Sequence, residues 1–223
     1  MPAGSAAARW VCLDVGETLI DETRVWTCWS EALGTTALTM MAALGAAIAR
    51  GGDHWNAFDI LGRPDWRTLA PAVERAYGGF RQSDLYPDAL PAIEGLTRAG
   101  YRIGVVANQP AQRSAELRAL GIAPDVMAMS EEIGAHKPEP AFFERVVDLL
   151  GNADPTHVAY VGDRLDNDVR AAAAAGMRAV WLKRGPWAAL AVEEAPEGAL
   201  VVDSLTELVE RVAEVLPLAG QDR

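Results

Sequence analysis

Cysteine and lysine are scarce, and no long hydrophobic run is present. Cys12 and Cys28 are the only cysteines of 223 residues, which excludes a disulfide framework and fits a reducing, cytoplasmic setting. Each reads as small core filler. The longest apolar run, residues 37–49, falls short of the roughly 20 residues a membrane span needs and reads as a buried helix. The first eight residues carry neither a basic stretch nor an apolar one, so they read as a loose terminus and not as a signal peptide. Positive charge is also lacking. A net charge of -11 argues against nucleic acid and anionic membrane as partners, since both need a basic patch. A small molecule is the expected partner, and a phosphorylated one is admissible if a divalent cation reverses the field locally.

What is present is ordinary globular composition, 50% hydrophobic and 23% charged. The stretch WVCLDVGETLI at residues 10–20 is an apolar run that stops at Asp14. Buried parallel strands read this way, and ligand sites of open α/β sheets lie at their carboxyl ends. Asp14 is therefore a candidate nucleophile or metal ligand. On this stretch alone a turn-capping aspartate is an equal reading.

Residues 22–85 change character. Trp26, Trp29, Trp55 and Trp66 fall here among alanine-rich stretches without strand-like alternation. Helices are expected over 25–33, 36–49, 55–61 and 70–77, with glycines as breaks. The aromatics, Met40 and Met41 read as packing. From Tyr86 onward helices (88–99, 110–120, 140–150, 166–175) alternate with strands (102–107, 126–129, 157–161, 179–182, 200–202). A capping box at Ser204 and Glu207 opens the last helix. Such alternation means βαβ units and a parallel sheet.

Three further segments end strands or open helices with polar residues: Asn108-Gln109 after the second strand, Lys137 ahead of a proline-started helix, and Asp163 to Asp168 after the strand VAYV. Singly, each has a plain structural reading. Together, a strand-end carboxylate, a lysine and a second carboxylate cluster are the minimum set for phosphoryl transfer through an aspartyl-phosphate on Asp14, assisted by Mg²⁺.

The motifs LDVGETL, VVANQ, AHKPEPAFFE and YVGDRLDNDVRAAAAAGM, in this order, resemble those of the haloacid dehalogenase-like (HAD) superfamily. The resemblance implies an α/β, Rossmann-like parallel sheet of order 3-2-1-4-5, with core segments 1–21 and 86–223 and an inserted all-helical cap at 22–85. It implies Asp14 as nucleophile, Lys137 and Asp168 as catalytic partners, and Asp14, Asp163 and the Gly16 carbonyl as Mg²⁺ ligands. Gly16 and Asn108 are the expected contacts for a small organic phosphate.

Two positions depart from the family pattern. Gly16 stands where a second aspartate serves as general acid, a role worth roughly 100- to 10,000-fold. Ala107 replaces a hydroxyl residue that would bind the phosphoryl group. Glu17, on an extended chain, would point away from the site. The expected function is an HAD-like hydrolase of phosphatase type, weakened at these two positions. The alternatives are a 2-haloacid dehalogenase-type hydrolase, which also lacks that acid, and a non-catalytic binding member. A Schiff-base lysine from the cap is excluded, because Lys137 and Lys183 are the only lysines. Arg24, Arg63 and Arg67 read as solvated side chains more readily than as anion contacts, and monomer and homodimer both remain open.

Overall fold

A computed structural model describes residues 8–218; the expected loose terminus, apart from Ala8, lies outside them. Six strands, β1 (Trp10–Leu13), β2 (Arg102–Ala107), β3 (Val126–Met129), β4 (Val158–Gly162), β5 (Arg178–Leu182) and β6 (Leu200–Val202), form one sheet of order β3-β2-β1-β4-β5-β6. Every adjacent pair is parallel. The expected order 3-2-1-4-5 is present, and the sixth strand extends the sheet beyond β5. The chain builds outward from β1 through β2 to β3, then returns to the other side of β1 as β4. The crevice at a switch point of this kind opens between the carboxyl ends of β1 and β4.

Side-chain alternation sends Val11 and Leu13 to one face and Trp10 and Cys12 to the other, and all four are buried. Helices α1 (Thr23–Ala32), α2 (Ala37–Ala49), α3 (Asn56–Ile60) and α4 (Ala70–Tyr77) come first in the chain. α5 (Ala89–Ala99), α6 (Arg113–Ala119), α7 (Ser130–Ile133), α8 (Pro140–Leu149), α9 (Arg170–Ala174), α10 (Gly185–Leu190) and α11 (Leu205–Arg211) follow. α5, α6 and α11 pack on the Val11 face, and α7, α8 and α9 on the Trp10 face. Gly104 is required opposite Cys12, because a Cβ there would lie 2.8 Å from the Cys12 sulfur.

The first four helices have a core of their own, built on Trp26, Trp29, Met40, Phe58, Trp66 and Val73. Phe58 stacks on Trp66 at 4.6 Å between ring centroids and meets Trp29 edge-on at 4.7 Å; the packing reading holds for Trp26, Trp29 and Trp66, whereas Trp55 is left 41% exposed. Trp187, from α10 on the sheet side, packs into the same cluster. No single helix among the described residues is long and apolar enough to cross a membrane.

The chain leaves and rejoins the sheet side by side. The Asp21 N–H donates to the Asp84 carbonyl (2.8 Å) and the Tyr86 N–H to the Leu19 carbonyl (3.0 Å). Arg24 fastens this crossing through the Asp84 carboxylate and the carbonyls of Tyr77 and Gly79.

Several boundaries differ from the sequence reading. The helix expected over 110–120 begins at Arg113, because residues 110–112 are occupied by turns. That expected over 166–175 splits into a π-helical turn, Leu165–Val169, and α9. The fourth strand starts at Val158 after a 3-10 turn. At Ser204 the hydroxyl accepts from the Glu207 N–H (3.1 Å), but the Glu207 carboxylate accepts from Asp203 and not from Ser204, so the box is shifted by one residue. α7 and α10 are short helices without an amphipathic period to announce them.

Candidate active site

Asp14 is the first residue beyond β1, and Asp163 the first beyond β4. The Asp14 N–H still donates to the Val161 carbonyl (2.9 Å), which extends the ladder by one rung and holds the main chain at Asp14 rigid. The turn after it is closed by main-chain bonds from Leu19 and Ile20 to the Val15 carbonyl (both 2.9 Å), so the Asp14 carboxylate is not what caps it. That carboxylate meets Lys137 instead, with Nζ 2.7 Å from Oδ1.

Lys137 approaches from the loop ahead of α8 and is held by Asn108 at the end of β2. The Asn108 amide donates through Nδ2 to the Lys137 carbonyl (2.9 Å), and its Oδ1 accepts from the Lys137 N–H (2.8 Å). Asn108 was expected to contact substrate. It does line the cleft, but both ends of its amide are engaged in positioning the lysine. The π-helical turn folds Asp168 back under the strand ends, where Oδ1 lies 2.5 Å from Lys137 Nζ and Oδ2 accepts from the Arg164 N–H (3.1 Å). Gly162 makes this possible, because a Cβ at that position would collide with the Asp168 carboxylate. Trp181 steadies Asp163 by donating its indole N–H to the main-chain carbonyl (2.8 Å).

Asp14, Lys137, Asp163 and Asp168 are all buried. Burial pushes the Asp14 carboxyl up to about 6; Lys137 opposes the shift and Asp168 adds to it. Asp163 rises well above the ordinary carboxylate range, first through burial and then through its acidic neighbours Asp168 and Asp14. Burial would lower Lys137, but the charges of Asp14 and Asp168 outweigh it and keep the ammonium firmly protonated.

These groups fit a divalent cation. Carboxylate oxygens of Asp14, Asp163 and Asp168 lie within 4.8 Å of one another, and Asp163 Oδ2 is buried without a hydrogen-bond partner among the described residues. Such an orphaned acceptor needs a ligand to offset its desolvation. Asp168 is committed to Lys137 and the Arg164 N–H, which leaves Asp14 and Asp163 as the open acidic ligands of an oxygen site suited to a hard cation.

The cleft above them holds about 780 Å³ and combines strand-end residues with Asp53, His54 and Trp55 of the helical unit. Of the three arginines weighed from sequence, none lines it. Arg24 is at the chain crossing, Arg63 binds Asp65 and the Leu33 carbonyl, and Arg67 lies over Trp66. The arginine that lines the cleft is Arg164, directly after Asp163. It pairs with Asp166 (2.8 Å), reaches Asp53 across the cleft (3.7 Å) and stacks on Trp187 at 3.6 Å.

Gly16 has an unanticipated neighbour. The chain after it is not extended; Glu17 takes a positive φ of 51° and the segment turns back on itself, with Gly16 bridged to Ile20. Glu17 consequently accepts from the Tyr86 hydroxyl (2.5 Å) and the Glu22 N–H (2.9 Å). The turn returns Glu22 to the start of the loop. A Cβ built on Gly16 would lie 2.5 Å from Glu22 Oε1 and 2.9 Å from its Cδ. Burial, then the charges of Glu17 and Asp14, push the Glu22 carboxyl up to about 8, against Arg164 and Gln109. The only sequence signal was an acidic residue six positions after the glycine.

A parallel sheet with strand-end carboxylates around a buried lysine, beside a helical unit that lines the same cleft, defines an α/β protein with its candidate site at the switch point. The chain belongs to the haloacid dehalogenase-like hydrolases, whose family model matches residues 8–176. It is 37% identical over 147 residues to the glyceraldehyde 3-phosphate phosphatase of Methanopyrus kandleri, covering 61% of this chain and 62% of that enzyme. It is 32% identical over 173 residues to the phosphoserine phosphatase of Thermus thermophilus, covering 70% and 68%. Among solved structures, the L-2-haloacid dehalogenase of Xanthobacter autotrophicus superposes with a TM-score of 0.67 at 21% identity, covering 92% of this chain and 98% of that one. This last likeness is one of fold alone.

Proposed function

We propose that the protein is a Mg²⁺-dependent phosphatase acting on a small organic phosphate, with residues 22–85 as its cap. The observation that carries this reading is the unpartnered, buried Asp163 Oδ2 beside the Asp14–Lys137–Asp168 chain. A dehalogenase, which works without metal, has no use for an orphaned acidic oxygen there. The relatives named as phosphatases support the same chemistry.

Asp14 attacks phosphorus and the phosphoryl group passes to its carboxylate, while Lys137 offsets the negative charge that gathers on both. Asp168 fixes the lysine from below, and Asn108 fixes its main chain. Asp14, Asp163 and the Gly16 carbonyl would hold the cation, which would supply Lewis-acid charge at the phosphoryl oxygens. Arg164 and the aromatic side chains Trp55, His54 and Trp187 border the space left for the organic part of the substrate.

A panel of phosphate esters and 2-haloacids, assayed with Mg²⁺ and with EDTA, tests the reading. Phosphate ester hydrolysis that EDTA abolishes and Asp14→Asn lowers by at least 1,000-fold, on the order expected for loss of a nucleophile, is the expected result. Dehalogenation insensitive to EDTA would overturn it.

A further inference from the structure

We propose that Glu22 is the acid-base catalyst of this site: its carboxyl stands in the place that Gly16 leaves vacant, so the proton function has moved to another part of the chain. The proposal rests on the phosphatase reading above. A carboxyl atom 2.5 Å from where a Cβ of residue 16 would sit occupies the volume that a side chain at 16 would fill, in the cleft shared by Asp14, Lys137 and Asp163.

The other carboxylates that line the cleft are committed elsewhere. Glu17 accepts from Tyr86 and from the Glu22 N–H. Asp166 pairs with Arg164 at 2.8 Å, and Asp53 with His54 at 2.8 Å. Glu131, on the opposite rim, accepts from the Ala111 N–H at 2.7 Å. Glu22 has no ion pair among the described residues, is met by the Gln109 side chain, and lies against the nucleophile loop.

In the first step a bond forms between Asp14 and phosphorus as the phosphorus–oxygen bond to the leaving group breaks, and the departing oxygen takes the Glu22 proton to leave as an alcohol. In the second, the Glu22 carboxylate takes a proton from water while the water oxygen attacks phosphorus. The Asp14–phosphorus bond breaks, inorganic phosphate departs, and both carboxyl groups return to their starting forms.

Glu22→Gln in the full chain with Mg²⁺ separates this role from packing, because glutamine keeps the shape and loses the exchangeable proton. Turnover of glycerol 3-phosphate, which needs its leaving oxygen protonated, is expected to fall about 100-fold or more. With p-nitrophenyl phosphate, whose leaving group needs no proton, the first step should survive. A burst of nitrophenolate and an acid-quenched phosphoenzyme should then accumulate, since the second step has lost its base. Glu22→Ala, which clears the volume that the Glu22 carboxyl fills beside Gly16, should lose alkyl phosphate turnover in the same way, and Gly16→Asp added to Glu22→Ala should restore it at least tenfold.

Alkyl phosphate turnover within threefold of the parent would overturn the assignment. So would equal losses on both substrates without phosphoenzyme accumulation, which is the behaviour of a merely structural side chain. If the parent protein itself neither hydrolyses phosphate esters nor forms a phosphoenzyme, the phosphatase reading falls and this proposal with it. An active parent with an unaffected Glu22→Gln variant removes this proposal alone.

Discussion

At the scale of single residues, the site divides two carboxylates between two duties. Asp168 is spent on Lys137, while Asp163 is left with an oxygen that nothing satisfies. The metal-free state therefore holds acidic groups that resist ionisation, and this has a pH signature. Asp14, raised to about 6 by burial, favours the fold below the ordinary carboxylate range, and that contribution is lost as pH rises through 6. A bound cation works in the opposite direction, because it takes the ionised ligands and releases their protons. The rise in melting temperature on replacing EDTA by saturating Mg²⁺ should accordingly be larger at pH 8 than at pH 5. Equal rises at the two pH values would show that these carboxyl groups are not its ligands.

At the scale of elements, the helical unit has two kinds of attachment, of very different strength. Its interior is a buried aromatic cluster, and Phe58, fully buried between Trp29 and Trp66, should cost about 3–5 kcal/mol when cut to alanine. The Asp53–Arg164 pair across the cleft is long, and Asp53 is half exposed, so Asp53→Asn should change stability by no more than about 1 kcal/mol. Chemical denaturation of the two variants makes the comparison; a loss from Asp53→Asn as large as that from Phe58→Ala would mean that the pair, and not the aromatic core, holds the unit in place.

The same contrast explains what could be read from sequence. Strands β1, β2 and β4 announce themselves because both faces are buried, and β1 and β4 end next to Asp14 and Asp163. Asp14, Lys137, Asp163 and Asp168 converge as their places in the alternation imply. The π-helical turn at Leu165–Val169 has the same apolar spacing as an α-helix start, so its extra residue was invisible. Glu22 was hidden for a different reason. Its approach to Gly16 depends on the left-handed Glu17 and on the return of the chain beside residues 84–86, neither of which leaves a periodic trace. The sixth strand was legible as a strand, and its pairing with β5 completes the order.

Taken as a whole, the molecule is a poor host for an anion. It carries a net charge of -11, and Asp14, Glu17, Glu22, Asp53, Glu131, Asp163 and Asp166 line the cleft against Lys137 and Arg164. A phosphate dianion enters such a field only after a divalent cation has reversed it locally. Inorganic phosphate should therefore raise the melting temperature in Mg²⁺ and leave it unchanged in EDTA. At a hundredfold excess over Kd the expected stabilisation is about 2.7 kcal/mol. Stabilisation of equal size without the metal would place the phosphate elsewhere.

The crossing at which the chain leaves the sheet also bears on timing. Asp14 is anchored to the ladder between β1 and β4, whereas Glu22 is the residue from which α1 departs. With the roles proposed for them, nucleophile and proton donor are thus referenced to different elements, one to the sheet and one to the start of α1. Where both groups share one short loop, a phosphorylated intermediate meets its base whatever the helical unit does. Here a tilt of the helical unit would carry the base away from an intermediate that stays put, so the lifetime of the phosphoenzyme becomes a clock for how long the helical unit remains seated.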